Sequence, residues 1–210
     1  MLEAAGVVVF ALTGALVAAR KRMDPFGFIL LSTVTGVGGG SLRDLLLDRR
    51  VFWIEAPGDV LLCSAVAVAA WTTAYCKPGM LDGWGAKRLL IWADAAGLAL
   101  FSVVGAQKGL EAGVPVLSAV AFGAMTATFG GIIRDIIAGD RPMVLWSRDF
   151  YVTAAAAGAA TTALLAQAGL APELVKLGGL AAGFGLRAGS LLFGWSFPNL
   201  PSDDAKKPSG

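Results

Sequence analysis

Residues 35–44 read TGVGGGSLRD and close an uncharged run that begins at Pro25. Residues 129–135 read FGGIIRD and close a second apolar run in the same way. Each interior glycine costs a helix about 1 kcal/mol relative to alanine. Ionised side chains are costly in lipid and, within spans, face a bundle interior or a watery cavity. A chain that twice puts glycines and then an Arg-Asp pair at the end of an apolar segment is building something inside a membrane domain.

Composition sets the class. Of 210 residues, 56% are hydrophobic and 15% charged, and the mean hydropathy is +0.70. Soluble domains carry about 25% charged residues. A hydrocarbon core about 30 Å thick needs about 20 apolar residues per helix, and several runs approach or reach that length. The chain therefore reads as a multi-span membrane protein. A net charge of +2 argues against a nucleic-acid partner. Histidine is absent, which removes the commonest general base and transition-metal ligand. Cys63 and Cys76 lie in one apolar segment without CxxC spacing, so neither a disulfide framework nor a metal site is expected. No GxSxG, HExxH or paired-carboxylate motif is present, and an enzyme is not expected. Only Glu3 precedes the first run, and Arg20, Lys21 and Arg22 follow it, the reverse of a signal peptide.

The expected fold is all-α and integral to the membrane. Seven spans are predicted at roughly Leu2–Ala19, Pro25–Leu47, Val60–Cys76, Lys87–Ala106, Gly113–Ala138, Phe150–Gly169 and Glu173–Trp195. They form one transmembrane domain over residues 1–196, with a flexible polar tail at 197–210. Most basic residues, including Arg20, Lys21, Arg22, Lys77, Lys87, Arg88, Arg141, Arg148, Lys206 and Lys207, fall on one side. The positive-inside rule makes that side cytoplasmic, with the N-terminus outside and the C-terminus inside.

An internal repeat organises the spans. Glu3–Ala15, EAAGVVVFALTGA, matches Asp94–Ala106, DAAGLALFSVVGA, without a gap, at an offset of 94 − 3 = 91. The same offset carries Gly39, Gly40, Arg43 and Asp44 onto Gly130, Gly131, Arg134 and Asp135. Repeat 1 covers about 2–76, repeat 2 about 87–169, and the seventh helix, about 173–195, is added. Three helices are an odd number, so the second copy enters from the opposite face and the two are inverted.

Inverted repeats with interrupted helices at matching positions mark solute pathways near the midplane. The second and fifth spans are accordingly expected to break at their glycines, exposing carbonyls to a permeant ion. The candidate pathway residues are Gly36, Gly38, Gly39, Gly40, Ser41, Arg43 and Asp44 on one helix. Thr126, Thr128, Gly130, Gly131, Arg134 and Asp135 are their counterparts on the other. Ser41 and Asp44 have the spacing of a capping box that would restart the helix. Adjacent residues do not face each other on a helix, so Arg43 need not pair with Asp44. The alternative use of glycine is close helix packing, expected for Gly179, Gly183, Gly185 and Gly189 on the last span.

The doubled GG-x-x-Arg-Asp pattern in a three-plus-three-plus-one arrangement resembles the prokaryotic trimeric intracellular cation (TRIC) channels, over roughly Ala4 to Trp195. The resemblance implies a homotrimer in a prokaryotic inner membrane, with one potassium-conducting pore per subunit between the second and fifth helices. It implies no cofactor beyond permeant K+ or Na+ and is compatible with bound lipid. The same family is also labelled as glycine transporters, which keeps a carrier for a small amino acid as the alternative. A membrane scaffold that moves nothing is the third reading.

Overall fold

A computed structural model describes residues 1–81, 83–146 and 149–196. The expected tail, Arg148, and the side chain of Trp146 lie outside the described residues. The described residues form nine helices: α1 (Leu2–Arg20), α2 (Pro25–Leu46), α3 (Phe52–Glu55), α4 (Gly58–Cys76), α5 (Trp84–Glu111), α6 (Val116–Ile137), α7 (Met143–Trp146), α8 (Val152–Gln167) and α9 (Pro172–Phe193). The seven long helices match the seven expected segments to within a few residues at most ends. The one-turn helices α3 and α7 were not anticipated. By length and composition, α1, α2, α4, α5 and α6 can cross a membrane, and α8 is a shorter apolar helix.

Local chemistry explains the ends. Asp24 caps α2 by accepting from the Gly27 amide at 2.7 Å, and Pro25 occupies the first helical position, where a missing N–H costs nothing. Asp48 and Gly139, 91 residues apart, sit just beyond α2 and α6 with φ of 52° and 69°. Each is a left-handed stop that lets the following amide bond back to the last turn, Arg49 to Asp44 and Asp140 to Asp135.

The repeat is present in three dimensions. Phe10 and Phe101 meet with ring centroids 5.2 Å apart, halfway along α1 and α5. Gly6 makes room for the Phe101 ring and Gly97 for the Phe10 ring. Gly14 lies against the Leu31 carbonyl and Thr35, and Gly105 against the Phe122 carbonyl and Thr126. Every one of these contacts reproduces its partner at an offset of 91, the behaviour of a pseudo-two-fold axis through the waist.

The glycines do not break their helices. Backbone hydrogen bonding is α-helical throughout Pro25–Leu46 and Val116–Ile137, and Gly36 to Gly40 and Gly130 to Gly131 sit inside unbroken turns. The expected unwound carbonyls are therefore corrected to a packing device. A Cβ on Gly39 would collide with the Thr126 carbonyl oxygen, and one on Gly130 would stand 2.5 Å from the Thr35 carbonyl oxygen. The α2 and α6 backbones touch at these two glycines, as small residues allow in membrane bundles. Gly36 likewise abuts the Cys63 thiol, and Gly40 the Phe52 ring. On α9, Gly179 and Gly183 seat α8 as expected and Gly189 accommodates Trp195, but Gly185 meets nothing.

The two roles predict opposite signs on substitution. If helix breaking were the function, Gly39→Ala would stabilise by about 1 kcal/mol. The observed contact instead predicts a loss of about 1–3 kcal/mol from overpacking. Gly185→Ala, with open space around it, should stabilise slightly by improved helix propensity. Thermal unfolding of the detergent-solubilised variants measures the difference.

Candidate functional site

At the end of α2, Arg43 is 1% exposed and Asp44 4% exposed, although both are charged and the flanking Leu45 and Leu46 are exposed. Burying a guanidinium is tolerable only when carboxylates neutralise it and fill its donor sites. Arg43 Nε donates to Asp44 Oδ1 at 2.8 Å, and Nη2 donates to Glu3 Oε1 of α1 at 2.9 Å. The other Asp44 oxygen accepts from the Phe52 amide at 2.9 Å and so anchors α3, whose Phe52 ring lies beneath the guanidinium. Adjacent residues do pair here, contrary to the helical-face expectation. The long arginine side chain bends back far enough to reach its neighbour while its outer nitrogens reach α1.

The same clamp recurs 91 residues on. Arg134 Nε donates to Asp135 Oδ1 at 2.8 Å, and Nη1 donates to Asp94 Oδ1 of α5 at 3.0 Å. Asp135 Oδ2 accepts from the Met143 amide at 3.0 Å and anchors α7. The short helices missed in the sequence are thus the amide donors that complete each clamp. Their signal lay only in the repeat: Phe52 and Met143 are 91 apart.

Each clamp floors an open cavity. Arg43, Asp44, Arg49, Arg50, Phe52, Glu55 and Lys108 line one of about 350 Å³. Arg134, Asp135, Asp140, Arg141, Met143, Val17, Arg20 and Leu90 line another of about 400 Å³. Glu3 and Val17 fall near opposite ends of α1, about 21 Å apart at about 1.5 Å per residue. The cavities therefore lie at opposite ends of the bundle. Between them the waist is filled by Phe10, Phe101, Val7, Leu98 and Ala127, all buried.

The remaining predicted residues fall around this waist. Thr35, Thr126 and Thr128 return their hydroxyls to the carbonyls of Leu31, Phe122 and Ala124 one turn earlier. Ser41 does not cap a restarted helix. Its hydroxyl donates to the Val37 carbonyl and accepts from Trp53 Nε1 at 2.8 Å, which ties α3 down a second time. Gly38 faces Ile133 across the α2–α6 crossing. Gly131 leaves room for a polar cluster, since a Cβ there would stand 3.4 Å from the Tyr151 hydroxyl, 3.6 Å from Arg134 Nη2 and 3.7 Å from Asp94 Oδ1. Arg187 on α9 points into the bundle. It is 1% exposed, with its Cζ 4.9 Å above the Tyr151 ring. Among the described residues no cluster of metal-ligating side chains occurs.

Comparison with known proteins places this geometry. The Glycine transporter family matches residues 1–77 and again residues 91–167, two copies in nearly the register of the internal repeat. The solved TRIC trimeric intracellular cation channel orthologue of Rhodobacter sphaeroides is 47% identical, with a TM-score of 0.85 over 92% of this chain and 97% of that one. The chain belongs to the prokaryotic TRIC family. A second solved TRIC cation channel is 27% identical, with a TM-score of 0.82 over 96% of each chain. The UPF0126 inner membrane protein YadS of Escherichia coli is 39% identical over 158 residues, 75% of this chain and 73% of that protein. Within this TRIC chain the helical membrane fold and the paired Arg-Asp motifs thus stand together.

Beyond the end of α6, Asp140 accepts from Arg20, the last residue of α1, and from Lys21 just past it. Partial burial pushes its carboxyl up, but the Lys21 hydrogen bond and the two cations outweigh that and hold it below the usual carboxylate range. A group whose folded pKa is depressed stabilises the fold above its unfolded pKa and loses that contribution as pH falls through the folded value. Asp140→Asn should therefore flatten the acid limb of a stability–pH profile below about pH 4. For the clamps, Asp94→Asn leaves a buried arginine short of a charge and should cost about 3–5 kcal/mol. Glu3→Gln, at a side chain 24% exposed, should cost nearer about 1 kcal/mol. Chemical or thermal unfolding in detergent reads both.

Proposed function

We propose that this protein is a homotrimeric monovalent cation channel, conducting potassium through one pathway in each subunit. The observation that carries the reading is the likeness to the Rhodobacter sphaeroides TRIC cation channel across nearly the whole chain. Two charged mouths on a common axis give that likeness a physical route. The pathway runs from one Arg-Asp clamp to the other between α2 and α6. Gly36, Gly38, Gly39, Gly40, Ser41, Arg43, Asp44, Thr126, Thr128, Gly130, Gly131, Arg134 and Asp135 are its wall. Seven long helices span the membrane, with the N-terminus outside, so the Arg43 mouth is external and the Arg134 mouth cytoplasmic. Lipid covers the exposed leucines and phenylalanines of α4 and α9, and no cofactor takes part.

In the closed-waist conformation described above, ions cannot pass Phe10 and Phe101. Conduction requires α2 and α6 to part at Gly39 and Gly130. At those two glycines backbone meets backbone, with the Ile133 side chain seated against Gly38 beside them. Potassium and sodium would then be separated by hydroxyl and carbonyl oxygens along a flexible wall, which favours modest selectivity.

A glycine carrier is the second reading. It is favoured by the family's description and by the packed waist between two inverted mouths, which suits alternating access. Planar-bilayer recording with asymmetric potassium and sodium separates the two. A channel gives unitary currents with a reversal potential set by the two cations. Saturable glycine counterflow in proteoliposomes without unitary currents would establish the carrier instead.

A further inference from the structure

The two mouths are equivalent by descent but are not equally locked. We propose that the Arg43 mouth is the one that opens and that the Arg134 mouth is the fixed end, with Val104 and Thr13 setting the difference. The inference rests on the conduction reading for its meaning and on three independent asymmetries for its evidence.

The first asymmetry lies in the clamps. Arg134 Nη1 donates to the Thr13 hydroxyl of α1 at 2.9 Å as well as to Asp94. At an offset of 91, the residue opposite Arg43 is Val104, which has no hydroxyl. Arg43 Nη1 is correspondingly buried without a partner. A buried donor left unpaired costs much of its desolvation free energy, and an acceptor at position 104 would remove that cost from this clamp. The partner carboxylates differ in the same sense. Asp94 is 1% exposed, whereas Glu3 is 24% exposed on the first turn of α1, where water competes for it.

The second asymmetry ties helices together. At the Arg134 mouth, Arg20 at the end of α1 and Lys21 just past it both hold Asp140 beyond α6. The corresponding positions at the other mouth are Glu111, Ala112 and Arg49. There Glu111 is paired instead with Lys108 of its own helix, at 3.6 Å, a contact that joins nothing to α2. The third is a buttress. Tyr151 lies beside Asp94 and Arg134 with Arg187 of α9 stacked on its ring. Its counterpart is Val60, and α9 has no counterpart at all. Opening at the Arg43 mouth releases the Phe52 amide from Asp44 and leaves α3 held to α2 through Trp53 and Ser41, while α7 stays held by Asp135.

Hydrogen exchange of the intact protein in nanodiscs tests this without requiring conduction. Relative to their intrinsic rates, the amides of Phe52–Glu55 should exchange faster than those of Met143–Trp146. Val104→Thr supplies the missing acceptor and should slow exchange in Phe52–Glu55 by about tenfold, the worth of one hydrogen bond to a charged group. Val104→Ser should act likewise, and Val104→Ile should leave exchange at the wild-type rate. In bilayers, Val104→Thr should lower open probability by a similar factor. Equal or faster exchange in Met143–Trp146 of the wild-type protein overturns the proposal even if no variant folds. So does unchanged exchange in a folded Val104→Thr. Absence of unitary currents from the wild-type protein would instead remove the channel reading and leave the exchange comparison standing.

Discussion

A guanidinium inside a membrane domain must be neutralised from within the same bundle. Arg43 and Arg134 meet that requirement with the same plan, with the next residue's carboxylate on one side and a carboxylate from the first turns of α1 or the interior of α5 on the other. Much of the architecture follows from satisfying these two cations. The second oxygen of each aspartate needs a donor, and the amides of Phe52 and Met143 provide it. The connections after α2 and α6 therefore fold into single helical turns directly over the clamps. Breaking a buried pair by removing one partner is far more costly than breaking a surface one, so the clamps hold helix ends in place that lipid alone would leave loose.

The close crossing of α2 and α6 is the second constraint. Membrane helices gain little from burying apolar surface against each other, because lipid is equally apolar. Association depends on contact area and on how near the backbones come. Gly39 and Gly130 allow each helix to rest on the other's carbonyl, and Gly14 and Gly105 do the same for α1 against α2 and α5 against α6. The glycines raise contact at the waist and leave Ile133, seated against Gly38, as a side chain that crosses between the two helices. Helical continuity and a movable crossing are compatible.

The internal repeat makes the two ends alike, and the residues that depart from it make them differ. Thr13 against Val104, Asp140 against Arg49 and Tyr151 against Val60 add holding contacts to one mouth, and Ser41 against Ile132 adds one to the other. The added helix α9 strengthens that bias, since it has no copy in the first repeat and delivers Arg187 to one clamp alone.

The membrane class, the positions of the seven long helices and the inverted repeat were legible in the sequence. Each is written in local terms: apolar run length, turn residues at the ends, and a register of 91 that survives in Gly39, Arg43 and Asp44 and in their counterparts. The pairing of Arg43 with Glu3 and of Arg134 with Asp94 was not legible, although the four residues sit in register, because the repeat cannot say which helices touch. The glycines were misjudged for the same reason. Helix propensity is a property of the isolated chain, and it marks Gly36 to Gly40 as a break. A neighbouring backbone at contact distance reverses the balance, and that neighbour exists only once α6 has packed against α2. What the sequence alone determined is where helices run and which segments are copies. Which charges neutralise each other, and what the glycines are for, was decided by tertiary packing, since both depend on partners 40 to 121 residues away along the chain.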